Sequence, residues 1–211
     1  VYNPLRYARA TYDRYLRAFG RRPKQVILVG MNPGPWGMAQ TGIPFGEVNA
    51  VRDWMGITGP VDKPPREHPK RPVDGFGCQR SEDSGKRLWG WAAETFGRPQ
   101  AFFKRFFVAN YCPLMFMEAE GRNRTPDKLP MAERRPLMAI CDEALHRTLQ
   151  HYKPEYAIGI GAFAARRVAA AAIDLDIITG RLTHPSPANP KANRGWAAVI
   201  TAELDQMGID C

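Results

Sequence analysis

The chain has 211 residues, 44% hydrophobic and 24% charged, which fits one medium globular domain, 1–211, with a substantial core. No apolar run approaches the roughly 20 residues that span a bilayer, and no signal-peptide pattern opens the chain, so no membrane partner and a location inside the cell are expected. The net charge of +9, from 30 basic and 21 acidic residues, favours polyanions such as nucleic acid, although solubility alone accounts for such a balance.

In chain order, residues 4–19 place Tyr7, Tyr12, Tyr15, Leu16 and Phe19 at helical spacing, which predicts an amphipathic first helix. The apolar run Val26–Val29 reads as a buried strand over 25–30. Residues 31–85 are dense in Gly and Pro, without sustained periodicity, and read as a long ordered loop region; such length usually carries function. Leu88–Phe96 is helical in pattern, and Phe106–Asn110 is a second buried strand. Between 133 and 151 the positions Leu137, Ile140, Cys141, Ala144, Leu145 and Leu149 form an apolar helical stripe. A third strand is predicted at 156–161, an Ala-rich helix at 162–172, a fourth strand at 177–183, and a last helix from about 189 to 207. Strands alternating with helices of this length predict an α/β fold with a parallel sheet covered on both faces.

Two strings follow strands. Gly30-Met31-Asn32-Pro33-Gly34-Pro35-Trp36-Gly37 leaves the first, and His184-Pro185-Ser186-Pro187-Ala188-Asn189-Pro190 leaves the fourth. In open parallel sheets, ligands bind where loops leave the carboxyl ends of the strands. Asn32, Asn110 and His184, at three such ends, are therefore expected to share one crevice. Each has an ordinary alternative, since Asn beside Gly and Pro commonly forms turns and single His residues are commonly structural.

An Asn amide offers both donor and acceptor, which matches the O4 and N3–H edge of uracil and mismatches cytosine. A base read in this way leaves its stack to enter a pocket. Phe45 is placed by sequence to stack on it, with core packing an equal account of that ring. The implied chemistry is hydrolysis of an N-glycosidic bond: Asn32 holds a water, and His184 donates to uracil O2 as negative charge develops there. A phosphate cradle is the weaker reading of the Gly-rich string. It lacks both the Lys-Ser/Thr pair and the GxGxxG spacing, and its prolines remove donors. The four cysteines lack CxxC spacing, so a zinc ribbon is not expected and buried free thiols are the favoured reading over a cluster.

The strings themselves resemble the SMUG family of single-strand-selective monofunctional uracil-DNA glycosylases, within the uracil-DNA glycosylase superfamily. The segments that carry the resemblance are Gly30–Gly46, Ser81–Gly85 with Arg87–Gly90, Asn110–Leu114, Gly121–Pro126 and His184–Trp196. The resemblance implies a three-layer α/β/α sandwich with a short, mainly four-stranded parallel sheet. It implies excision of uracil and of 5-substituted uracils such as 5-hydroxymethyluracil from single- and double-stranded DNA, by a monomer without metal or cofactor. The product is an abasic site for downstream processing enzymes, and deaminated purines are a further substrate class of the superfamily.

By that analogy Asn32 positions water, His184 supports the leaving base, Asn110 reads it, Phe45 stacks on it and the Met31 backbone contacts it. Gly34, where uracil-only relatives carry bulk, is expected to leave room for 5-substituents. Arg122, Asn123, Arg124 and Thr125 belong to a DNA-contacting loop. Pro187, Ala188, Asn189, Lys191 and Arg194 belong to a wedge that fills the space of the flipped base. Ala188 stands where better-known members carry Arg, which predicts weaker duplex penetration. The rival from another class is a non-catalytic binder of damaged or single-stranded DNA, discriminated by binding without base release.

Overall fold

A computed structural model describes residues 1–211. Helices α1 (Pro4–Tyr7) and α2 (Arg9–Phe19) are followed by β1 (Val26–Gly30), α3 (Met38–Thr41), α4 (Asp83–Phe96), α5 (Pro99–Arg105) and β2 (Phe106–Asn110). A small hairpin, β3 (Phe116–Met117) and β4 (Asn123–Arg124), precedes α6 (Met131–Tyr152), β5 (Tyr156–Ile160), α7 (Ala162–Ala171), β6 (Ile178–Leu182) and α8 (Trp196–Gln206). The sheet has the order β2-β1-β5-β6, and every pairing in it is parallel. β1 and β5 are buried at every residue, as central strands covered on both faces must be. α7 packs on β5, β6 and β1 and against α6; α5 packs on β2, α8 on β6, and α4 on α5 and α8.

The four strands fall where hydrophobic patterning puts them, and the helices differ in detail. The first helix breaks into two at Ala8, whose backbone (φ −110°, ψ 30°) leaves the helical range, and beside the break Tyr7 donates its hydroxyl to the Ala39 carbonyl (2.7 Å). A helix that patterning does not predict, α5, stacks Phe103 on Phe19 and Phe102 on Phe106 (ring centroids 4.0 and 5.0 Å). The stripe on α6 is narrower than predicted: Cys141, Leu145, Leu149 and Tyr152 are buried, whereas Ile140 is 70% exposed. α8 starts at Trp196 rather than 189, since residues 189–195 turn tightly to carry the loop after His184.

The Gly- and Pro-rich stretch 31–85 is ordered by side chains in place of ladders. Buried Gln40 alone makes four bonds. Its Nε2 donates to the carbonyls of Pro35 and Pro72 (both 2.9 Å), and its Oε1 accepts from the N–H groups of Asp74 (2.8 Å) and Gly75 (3.1 Å). A fully satisfied buried amide ties three loop segments together without exposing backbone groups to an apolar interior.

Candidate active site

The register of the sheet sets the site. Gly30 pairs with Asn110, so the ends of β1 and β2 lie level, and Asn32 follows two residues on. A Cβ on Gly30 would lie 2.5 Å from both Asn110 Oδ1 and the Phe45 ring; only glycine lets these two side chains converge. Phe45 adopts φ +53°, a conformation costly for a bulky residue. Its carbonyl is held there by the Trp89 indole N–H (2.9 Å) and the Glu47 N–H (2.7 Å). The ring is only 8% exposed, yet it lines the cavity: packing and presentation to a ligand are both true of it.

The cavity, about 380 Å³, brings together Met31, Asn32, Gly34, Phe45, Asn110, Asn123, Thr125, His184 and Pro187 from the predicted set. Asn32 donates from Nδ2 to the Leu114 carbonyl (3.3 Å), which fixes its amide plane and leaves Oδ1 available as an acceptor. Asn110 donates only to the sulfur of Met38 (3.2 Å), a weak acceptor that a base edge readily displaces.

His184 is the most constrained member. Its Nδ1 accepts the Ser186 N–H (3.1 Å), so in the neutral ring the proton sits on Nε2. Burial lowers its pKa, which keeps it neutral at pH 7. The loop beneath is tied on both sides. Asn189 donates to the His184 carbonyl (3.2 Å), Trp196 to that of Thr183 (2.8 Å) and Arg87 to that of Pro185 (2.9 Å). Glu203 accepts from both the Thr183 N–H (2.7 Å) and its hydroxyl (2.6 Å). A rigid, neutral imidazole therefore keeps one N–H for a ligand.

The remaining predicted residues lie outside the cavity lining. Arg122 is exposed and paired with Glu118 (2.5 Å), and Arg124 donates to the Lys128 carbonyl (2.6 Å). Ala188, Lys191 and Arg194 are exposed, whereas the Asn189 side chain is used inside its own loop, also accepting the Lys191 N–H (3.2 Å). All four thiols are free; Cys78, Cys112 and Cys141 are buried, and Cys211 is exposed rather than buried. No three His, Cys, Asp or Glu side chains are grouped closely enough to hold a metal ion, and no helix is long and apolar enough to cross a membrane.

Two features of the site are not foreseen from sequence. Trp36, at the cavity wall, has two guanidinium groups over its ring, those of Arg80 (4.7 Å) and Arg71 (5.2 Å). A second groove runs from Trp36 past Lys70, Arg71, Gln79 and Arg80. The other feature is Glu82, whose carboxyl lies against Gly34 in the cavity wall: a Cβ on Gly34 would meet it, with Oε1 at 2.5 Å. The one signal for Glu82 in the sequence is its place just before a helix start, in a segment that carries the family resemblance.

A parallel sheet with two Asn and one neutral His along its carboxyl edge defines the class. The sequence profile of the uracil DNA glycosylase superfamily matches residues 18–203. The crystal structure of Pedobacter heparinus SMUG2 superposes with a TM-score of 0.69, over 98% of this chain and 86% of that one, at 17% identity, a likeness of fold. The chain is 47% identical over 211 residues to the single-strand selective monofunctional uracil DNA glycosylase of Bos taurus, covering 99% of this chain and 78% of that protein. The Mus musculus protein of the same name is also 47% identical, with 76% of its length covered. The chain belongs to this single-strand selective monofunctional uracil DNA glycosylase family within the superfamily.

Proposed function

We propose that this chain removes uracil, and uracils with a polar 5-substituent such as 5-hydroxymethyluracil, from DNA by hydrolysing the N-glycosidic bond and leaving the strand intact. The observation that carries the reading is the neutral His184, with Nε2–H free, sharing one cavity with Asn32, Asn110 and Phe45. The flipped base stacks on Phe45, and Asn110 offers a donor to O4 and an acceptor to N3–H. As the C1′–N1 bond breaks, its electron pair goes to the base and charge gathers on O2. The Nε2–H of His184 stabilises that charge without transferring its proton. Water held by Asn32 Oδ1 attacks C1′ and loses a proton to solvent. An imidazole already neutral costs no deprotonation, and an Asn orients water without needing to be a strong base.

The basic loops carry the DNA. Arg122, Asn123, Arg124 and Thr125 meet the strand on one side, and Pro187, Ala188, Asn189, Lys191 and Arg194 fill and flank the emptied site. Trp36 with Arg71 and Arg80 beside it favours a single strand, since aromatic rings and cations together hold unpaired bases. Exposed Ala188 at the wedge tip supports weak retention on duplex. The enzyme acts as a monomer inside the cell and hands its abasic product to processing enzymes. The test is a uracil-containing single strand treated with the protein and then alkali. Breaks only after alkali are expected; none after alkali refutes hydrolysis, and breaks before it indicate a lyase.

A further inference from the structure

Glu82 has no task in that reaction, yet its carboxyl is a built part of the cavity. Oε2 is buried and accepts no hydrogen bond. Buried polar atoms are almost always paired, so an orphan in a cavity wall points to a ligand. The carboxyl is wedged against the loop after Asn32: a Cβ on Gly34 would lie 2.5 Å from Oε1, and one on Gly37 2.5 Å from Oε2. The N–H groups of Trp36 and Gly37 face it, and burial outweighs them, pushing its pKa up to about 7. Much of the population therefore carries a proton at neutral pH, able to donate as well as accept.

The orientation of the base in the proposed reaction follows by elimination. Phe45 takes one face, Asn110 the N3–O4 edge, His184 the O2 side and Asn32 the sugar side. The C5–C6 edge remains, and the 33–37 loop with Glu82 on it is the wall without another partner. We propose that Glu82 is a specificity-determining residue for the C5 side of the base, its carboxyl hydrogen-bonding a hydroxyl carried by a 5-substituent. A hydroxyl there gives the carboxyl, unpaired at Oε2, a partner from the cavity side, whereas uracil leaves it without one. Selectivity thus comes from a polar group that Gly34 makes space for, and not from an empty space at Gly34.

The proposal rests on the uracil-glycosylase reading, and the test separates the two. Single-turnover release of uracil and of 5-hydroxymethyluracil is measured from the same single strand by the full chain and by Glu82→Gln, Glu82→Leu and Glu82→Ala. Because the ratio of the two rates is read within each protein, partial misfolding, which lowers both rates, does not change it. The expected result is a ratio kept within about 3-fold in the Gln variant, which retains a hydrogen-bonding amide. In the Leu and Ala variants the ratio of 5-hydroxymethyluracil to uracil release falls by about 10-fold or more, the loss of one hydrogen bond. A ratio unchanged in both apolar variants overturns the proposal. So does a loss of uracil release of about 100-fold in all three, which makes Glu82 the base that activates water. Wild-type protein that releases no uracil refutes the underlying reading itself.

Discussion

Replacing Glu82 with Gln tests the electrostatics of the site through stability alone, without DNA. In the folded chain the carboxyl is held at a pKa of about 7, against an ordinary 4.5. Burial is the main cause, with Asp83 and Glu47 adding and the N–H groups of Trp36 and Gly37 opposing. A raised carboxyl pKa means the folded state keeps a proton that the unfolded chain gives up as pH rises. Stability is therefore full below about pH 4.5, falls between there and about pH 7, and is level above. Each tenfold difference in proton affinity between the folded and unfolded states is worth about 1.4 kcal/mol. Ionised Glu82 thus costs about 3 kcal/mol at pH 8 and below about 1 kcal/mol at pH 5. Glu82→Gln cannot titrate and lacks this loss. Urea unfolding of both proteins at pH 5 and pH 8 measures it. With an m-value of about 2–3 kcal/mol/M, the wild-type midpoint drops by about 1 M more than that of the variant. Other groups titrate alike in both and cancel. Superimposable pH dependences refute the buried, proton-holding carboxyl.

Gly34→Ala forces a Cβ into the Glu82 carboxyl, so it lowers stability by about 1–3 kcal/mol; the loss is largely recovered in Gly34→Ala/Glu82→Ala by urea unfolding, and additive losses contradict the contact. Ala188→Arg lengthens the exposed wedge tip, and slower dissociation from an abasic duplex is expected; an unchanged off-rate counts against the wedge. Arg71→Ala/Arg80→Ala removes both cations beside Trp36, and the slope of log affinity against log salt on single strands falls by about 0.7 per lost phosphate contact. An unchanged slope removes that groove from the DNA path.

The strands are legible in the sequence because their apolar runs are short, continuous and bounded, and three of their ends carry Asn32, Asn110 and His184. What patterning misses depends on contacts between distant segments. α5 is held by aromatic stacking on Phe19 and Phe106, which no local period announces. The order of 31–85 depends on Gln40, a residue whose four partners lie up to 35 positions away. The protonation of His184 depends on burial and the Ser186 N–H, both properties of the folded loop. Glu82 is hidden for the same reason. Its meaning comes from Gly34 and Gly37, nearly fifty residues earlier, and from an oxygen left without a partner.

The central claim is that Asn32 and His184 act on the bond and not on DNA capture. Single-turnover uracil release and equilibrium binding to a single strand, measured side by side for the wild type, Asn32→Ala and His184→Ala, test it most directly. Removing one preorganised donor or water-holding amide lowers the chemical step by about 100- to 1000-fold, with affinity for the strand changed by less than about 3-fold. Equal losses in both quantities, or release undiminished in either variant, contradict the assignment.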